Sequence, residues 1–294
     1  MFGGPDRDYF NLGVGMTATL QRGARRRPLA LAGLSLLLAA TACSSPAGRF
    51  SENAAVLGMR ARVVSGAAFH HVVFEHAGRA SRTLHVYLDG DGTPWRAWRP
   101  ATDPTPRNPL LLRLMALDPN PSIYLGRPCY HGLSETPSCS SALWTGARYS
   151  EAVVSSMAAA LRRVLQAGGF DRLAWFGYSG GGAMAVLLAP RFTETTDLIT
   201  IAANLDIDAW TDLHGYSRLA GSLNPAQQPP LPARIRQRHY VGGQDRVVPK
   251  HVVARGPIDP NTLVVIPSYD HTCCWETTWP AVLAEVDQAN ASGR

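Results

Sequence analysis

From about Ala54 onward the chain alternates short, nearly all-apolar runs with longer stretches that either carry apolar residues every three to four positions or are rich in Gly and Pro. The short runs are His70–Glu75, Thr83–Asp89, Ser122–Leu125, Arg172–Gly177, Leu198–Ala203, Gln237–Val241 and Thr262–Ile266. Strands apolar on both faces belong in a sheet covered on both sides, which is the setting of parallel strands joined by helices. Two helices stand out. Ser150–Ala167 places Val153, Val154, Met157, Leu161, Val164 and Leu165 on one face and stops at Gly168-Gly169. Gly180–Leu188 starts directly after a strand and ends before Pro190. The connections Gly92–Pro121 and Asp212–Pro232 are too long for ordinary strand-to-helix links, so they are expected to form rim segments or a small lid over a site. No repeat or linker divides this stretch, and 54–294 reads as a single α/β domain with a mostly parallel central sheet and helices on both faces.

The pattern ahead of that body is different. Arg22 and Arg25-Arg26-Arg27 precede an uncharged apolar stretch, Leu29–Leu38, far shorter than the roughly 20 residues that span a bilayer. Small residues follow, which is the form of an export signal. The sequence Leu38-Ala39-Ala40-Thr41-Ala42-Cys43 resembles the bacterial lipobox, whose cysteine is lipidated and becomes the new N-terminus. Residues 1–42 are therefore expected to be an upstream extension and signal peptide, Cys43 a membrane anchor, and 43–53 a polar tether. Asp6 and Asp8 are foreign to the start of a signal and point to Met16 as the true initiator. With no Asp after Cys43, such a lipoprotein is expected at the outer membrane, facing the periplasm.

Composition narrows the reading. At 46% hydrophobic and 17% charged residues the chain is neither disordered nor a multi-span membrane protein. The formal charge of +6 overstates its basicity, because residues 1–42 hold five Arg against two Asp and carry half of it. Lys250 is the sole lysine and the body has no basic block, so nucleic acid is not an expected partner.

The candidate chemistry begins with Leu173-Ala174-Trp175-Phe176-Gly177-Tyr178-Ser179-Gly180-Gly181-Gly182-Ala183, an apolar strand, a Gly-flanked serine and a small-residue helix. A serine at such a turn projects its hydroxyl above the sheet, and Gly177 and Gly181 let neighbouring backbone pass. The segment resembles the nucleophile turn of the α/β-hydrolase fold family, whose chain order is Ser, then acid, then His. Two later segments match that order. Tyr240-Val241-Gly242-Gly243-Gln244-Asp245 has the form of the acid turn, and Leu263–His271 places His271 in the loop after the last strand. Asp206 and Asp208 compete with Asp245 for the acid; His214, His239 and His251 compete with His271. Asp270 is expected to shape its loop. The resemblance implies an oxyanion hole made by the N–H of Gly180 and a donor from the turn Leu88-Asp89-Gly90-Asp91-Gly92. Asp91 is the first candidate for that donor and Gly92 the alternative. The family often has His-Gly at this turn, so a carboxylate here must turn away if it is not to repel developing negative charge.

Apart from Cys43, the cysteines are Cys129, Cys139, Cys273 and Cys274, an even number that in an exported protein implies two disulfides of unspecified pairing. Their spacing, with His131 and His271 nearby, fits no zinc pattern, and no metal is expected. Tyr124–Tyr130, Asn204-Leu205-Asp206 and His271–Trp275 are similar to segments of exported bacterial α/β-hydrolase lipoproteins of unassigned substrate. The combined expectation is a serine hydrolase of the esterase or lipase kind. It would take a small-molecule acyl substrate without a cofactor, sit on a membrane through its lipid, and leave a peptidase or a non-catalytic binding lipoprotein as alternatives. Trp95, Trp98, Trp144, Tyr130 and Trp275 are the aromatics that could line its pocket.

Overall fold

The strands follow the apolar runs closely, and their order in space carries the loops of interest to one end of a sheet. The computed structural model describes residues 45–292; the signal, Met16 and Cys43 lie outside the described residues. In chain order the elements are α1 (Pro46–Val56), β1 (Arg60–Ser65), β2 (His70–His76), β3 (Thr83–Leu88), β4 (Trp95–Arg96), β5 (Arg99–Pro100), α2 (Leu110–Ala116) and β6 (Ser122–Leu125). Then come α3 (Glu151–Gly168), β7 (Arg172–Tyr178), α4 (Gly180–Leu188), β8 (Thr195–Ile201), α5 (Ile207–His214), β9 (Arg236–Gly242), α6 (Lys250–Val253), β10 (Leu263–Ile266) and α7 (Trp275–Ser292). The main sheet has eight strands in the order β1-β2-β6-β3-β7-β8-β9-β10. Pairing is parallel from β6 through β10 and antiparallel only where β2 meets β1 and β6.

Alternation along the central strands divides the core into two layers. Leu84, Val86 and Leu88 of β3 and Leu173 and Trp175 of β7 pack with α3, α4, α5 and α6. Tyr87, Phe176, Ile199 and Ile201 face the other way, against α1, α2 and α7. Ser150 caps α3 by accepting the Val153 N–H, and Gly169 ends it in the left-handed region at φ 67°.

Three differences from the sequence reading have physical causes. β1 (RARVVS) buries only Val64, because an edge strand with one covered face need not look apolar. The expected tether is instead the helix α1. Ser45 accepts the Gly48 N–H at its start, and Ala47, Phe50 and Ala54 are buried. Phe50 packs within 5.4 Å of the Phe74 ring and 5.2 Å of the Tyr124 ring, so the intervening polar residues mark the outer face of an amphipathic helix, and the folded body reaches back at least to Ser45 rather than starting at 54. The stretch Gly92–Pro121, expected as rim or lid, is mixed. Its second half forms α2, whose Leu110, Leu111, Leu112, Leu114 and Met115 are fully buried, while the β4–β5 hairpin is exposed along its whole length.

At the hairpin tip Ala97 and Trp98 both take left-handed φ values, 47° and 64°. Asn-Gly is the usual choice for such a turn, and an alanine and a tryptophan there cost roughly 1–2 kcal/mol each.

Phe50→Ala should destabilise the protein by about 3–5 kcal/mol in a urea titration if α1 belongs to the fold; a free tether would leave the midpoint unchanged.

Candidate active site

The turn from β7 into α4 holds Ser179 at φ 51° and ψ −122°, a conformation that costs a non-glycine residue roughly 1–3 kcal/mol. Neighbouring backbone clamps it there. The Ser179 N–H donates to the Ile201 carbonyl at 3.0 Å, and the Ser179 carbonyl accepts from Gly182 at 3.0 Å and Asn204 at 3.1 Å. A Cβ at Gly181 would stand 1.9 Å from the Leu88 carbonyl oxygen, and one at Gly177 would stand 2.6 Å from the Gly182 Cα. Only glycines let β3, β7 and α4 approach this closely.

His271 follows β10, and its ring lies within hydrogen-bonding distance of two groups from other loops. Its Nδ1 is 2.8 Å from Asp245 Oδ2 and its Nε2 is 3.1 Å from Ser179 Oγ. An ionised carboxylate has no proton to offer, so Nδ1–H donates to Asp245 and Nε2 is left to accept from the Ser179 hydroxyl. Asp245 is buried, and its Oδ1 accepts the N–H groups of Val247 and Val248, each at 2.8 Å. The Val247 carbonyl accepts from Trp210 Nε1 at 3.0 Å and from His214 Nε2 at 2.8 Å, so α5 braces the acid turn. On the histidine side, Asp270 Oδ1 accepts the N–H groups of Thr272 and Cys273, and Trp275 Nε1 donates to the His271 carbonyl at 3.0 Å. Asp270 thus shapes the loop, as expected.

The competing residues have other partners. Asp206 caps α5 through the Asp208 and Ala209 N–H groups and pairs with Arg255 at 2.7 Å. Asp208 pairs with Arg218 at 2.9 Å. His239 is buried against the Thr200 hydroxyl at 2.8 Å, His214 serves the Val247 carbonyl, and His251 is exposed.

The turn after β3 lies against the serine: a Cβ at Gly90 would be 3.3 Å from the Ser179 Cβ. The Asp91 carboxylate turns into the body. It pairs with Arg127 at 2.9 Å and Arg148 at 2.7 Å and accepts the Tyr149 hydroxyl. Burial alone would raise the Asp91 carboxyl, but the charges of Arg148 and Arg127 outweigh it and hold the group below the ordinary carboxylate range. Two guanidiniums against one carboxylate leave this cluster with a surplus positive charge. It abuts the first residue of α4, since a Cβ at Gly180 would meet Asp91 Oδ1 at 2.0 Å and the Tyr149 hydroxyl at 2.4 Å. Arg127 also stacks over the Tyr149 ring at 5.1 Å, and Tyr130 donates to the Asp91 carbonyl at 2.9 Å. Sequence reasoning missed Arg127, Arg148 and Tyr149. The one available signal was the position of Arg127 just past the C-terminal end of β6.

Cys129 bonds to Cys139, and Cys273 to Cys274. The first bridge closes the loop that carries Tyr130, beside Trp144, and the second lies exposed two residues beyond His271. Of the five aromatics considered as pocket lining, Tyr130, Trp144 and Trp275 are buried and Trp95 and Trp98 are exposed. Among the described residues no group of three or more His, Cys, Asp or Glu could hold a metal ion.

No protein-family model matches the sequence, and no curated protein matches it. Solved structures do resemble the fold. A proline iminopeptidase from Mycobacterium smegmatis superimposes with a TM-score of 0.57 at 11% identity, covering 80% of this chain and 100% of that one. The α/β hydrolase domain-containing protein 10 from mouse gives 0.53 at 12% identity, covering 80% and 100%. A membrane phospholipase A described as a bacterial virulence factor gives 0.51 at 16% identity, covering 83% and 92%. The fold of this chain is the α/β-hydrolase fold. Identities this low establish architecture and leave the chemistry to the site itself.

Asp89, one residue before Gly90, is pushed by burial up to about 7, against the lowering pull of the Gly90 N–H and the Arg127 charge. A carboxyl raised in the folded state contributes stability that is fully present below its unfolded value and is lost as pH rises through about 7. Between pH 4 and 7 the melting temperature of the wild type should therefore fall relative to that of Asp89→Asn; parallel curves would contradict the shift.

Proposed function

We propose that this chain is a serine hydrolase that cleaves an ester or related acyl bond through an acyl-enzyme. The observation that carries the reading is the unbroken hydrogen-bonded chain from Asp245 through His271 to Ser179, set at the turn where a parallel strand enters a helix. In the first half-reaction Ser179 Oγ attacks the acyl carbon while His271 Nε2 takes the hydroxyl proton. Asp245 keeps the imidazole in the receptive tautomer and supports the imidazolium that forms. The tetrahedral oxyanion falls before the N-terminus of α4. The Gly180 N–H, in the first turn of that helix, has no intrahelical acceptor to satisfy it. The backbone N–H of Asp91 is the second donor, and its carboxylate, which lies beside Gly180, is neutralised by Arg127 and Arg148. When the tetrahedral species collapses, His271 returns the proton to the leaving group. Water then repeats the sequence on the acyl-enzyme and restores Ser179.

We place the protein on a membrane surface through a lipidated Cys43, facing the periplasm from the outer membrane. Support comes from the apolar run and lipobox-like end of the leader.

A fluorophosphonate probe should label the wild type, and Ser179→Ala should abolish the label; a folded wild type that does not react overturns the reading. Against a panel of esters, His271→Ala should lower kcat by roughly 10⁴-fold or more with an unchanged melting temperature. Metabolic labelling with an alkyne fatty acid should mark the chain and fail on Cys43→Ser; equal labelling of both removes Cys43 as the anchor.

A further inference from the structure

The β4–β5 hairpin is the most exposed apolar feature of the described residues. Trp98 at its tip is 98% exposed and Trp95 is 50% exposed. Arg96 and Arg99, paired across the two strands, are exposed as well, and no acidic residue occurs from Gly92 through Thr102. A tryptophan in this position gives up the shelter that the core offers Trp144, Trp175, Trp275 and Trp279. It is also held in a backbone conformation that a bulky residue adopts only at a cost. Tryptophan flanked by arginine, with no compensating carboxylate, suits the boundary between acyl chains and anionic headgroups: the indole sits at the interface and the guanidiniums meet phosphate.

Position within the fold gives this surface a direction. The hairpin grows out of the turn that borders Ser179: Gly90 lies against that serine, and Trp95 follows it five positions later, a reach of at most about 18 Å. On its other side the chain runs from Pro100 to Asp103, whose carboxylate accepts the Ala47 N–H at 2.9 Å in the first turn of α1. Ala47 is four residues past Cys43, so the point where an anchored chain would leave the membrane is tied to the same loop that carries the hairpin. Trp98 lies within about 18 Å of Asp103 on the same counting.

We infer that the β4–β5 hairpin docks on an anionic lipid bilayer, with Trp95 and Trp98 at the acyl boundary and Arg96 and Arg99 on headgroup phosphates, and so holds the rim of the Ser179 site against the lipid surface. The inference rests on the membrane placement proposed above for the direction of approach, and on no assumption about catalysis.

The test uses the full chain reconstituted into vesicles of phosphatidylcholine with phosphatidylglycerol, part of the lipid carrying brominated acyl chains that quench nearby indoles. Flotation of the vesicles reports attachment, and tryptophan quenching reports contact by the hairpin. Wild type should float and be quenched. Trp95→Phe/Trp98→Phe should float equally while losing most of the quenching, since four of the other five tryptophans are buried and the fifth, Trp210, is half-buried. Arg96→Gln/Arg99→Gln should reduce quenching on vesicles containing phosphatidylglycerol by at least about twofold and leave it unchanged on phosphatidylcholine alone. A floating wild type whose quenching survives the double Phe substitution overturns the hairpin's role and spares the anchor. A wild type that does not float overturns the membrane as partner altogether.

Discussion

A single backbone conformation, the left-handed turn at Ser179, governs the layout of this molecule. A serine does not hold φ 51° unaided; here it is held because Ile201, Gly182 and Asn204 bond its two peptide groups from three sides. Those bonds require β3, β7, β8 and α4 to converge more closely than side chains allow, which is why Gly177 and Gly181 stand where they do. The parallel order of the sheet then places the acid turn after β9 and the histidine loop after β10 at the same end as the serine. Each of those loops has its own brace, α5 for the acid turn and the Asp270 turn with Trp275 for the imidazole. Three residues from distant parts of the chain are thereby kept at hydrogen-bonding distance by backbone geometry and local caps rather than by the bonds between them.

The electrostatics of the same end follow from one substitution of type. A carboxylate beside Ser179 and Gly180 would oppose the chemistry proposed above, and the fold neutralises it with two buried arginines and a tyrosine. Burying three charges is costly unless they are paired and bonded. Once paired, the cluster is slightly positive and lies next to the start of α4, where the helix dipole has the same sign. Under the proposed chemistry, Asp91 alone would be unfavourable and the cluster as a whole favourable.

How much of this could be read from the sequence depended on the range of the interactions involved. The central strands were legible because burial on both faces leaves nearly unbroken apolar runs. Ser179, Asp245 and His271 were legible because each sits in a locally recognisable turn and the three occur in a known order. β1 was hidden because five of its six residues are not buried. α1 was hidden because Ser45, Arg49, Glu52 and Asn53 make it look like a linker, while its contribution rests on Phe50 and two alanines. α2 was masked by the prolines around it. Nothing local links Asp91 to Arg127, Arg148 and Tyr149, since that contact forms only when the sheet is assembled.

The early start of the fold has one more implication. Because Ser45 already caps α1, only Ser44 stands between Cys43 and the cap in the sequence, which allows a reach of at most about 7 Å from Cys43 to Ser45. If Cys43 is acylated as proposed, a body so tightly moored would have little freedom to tumble. Its encounters would be a two-dimensional search, favouring molecules that diffuse laterally within or along the membrane over those arriving from the bulk.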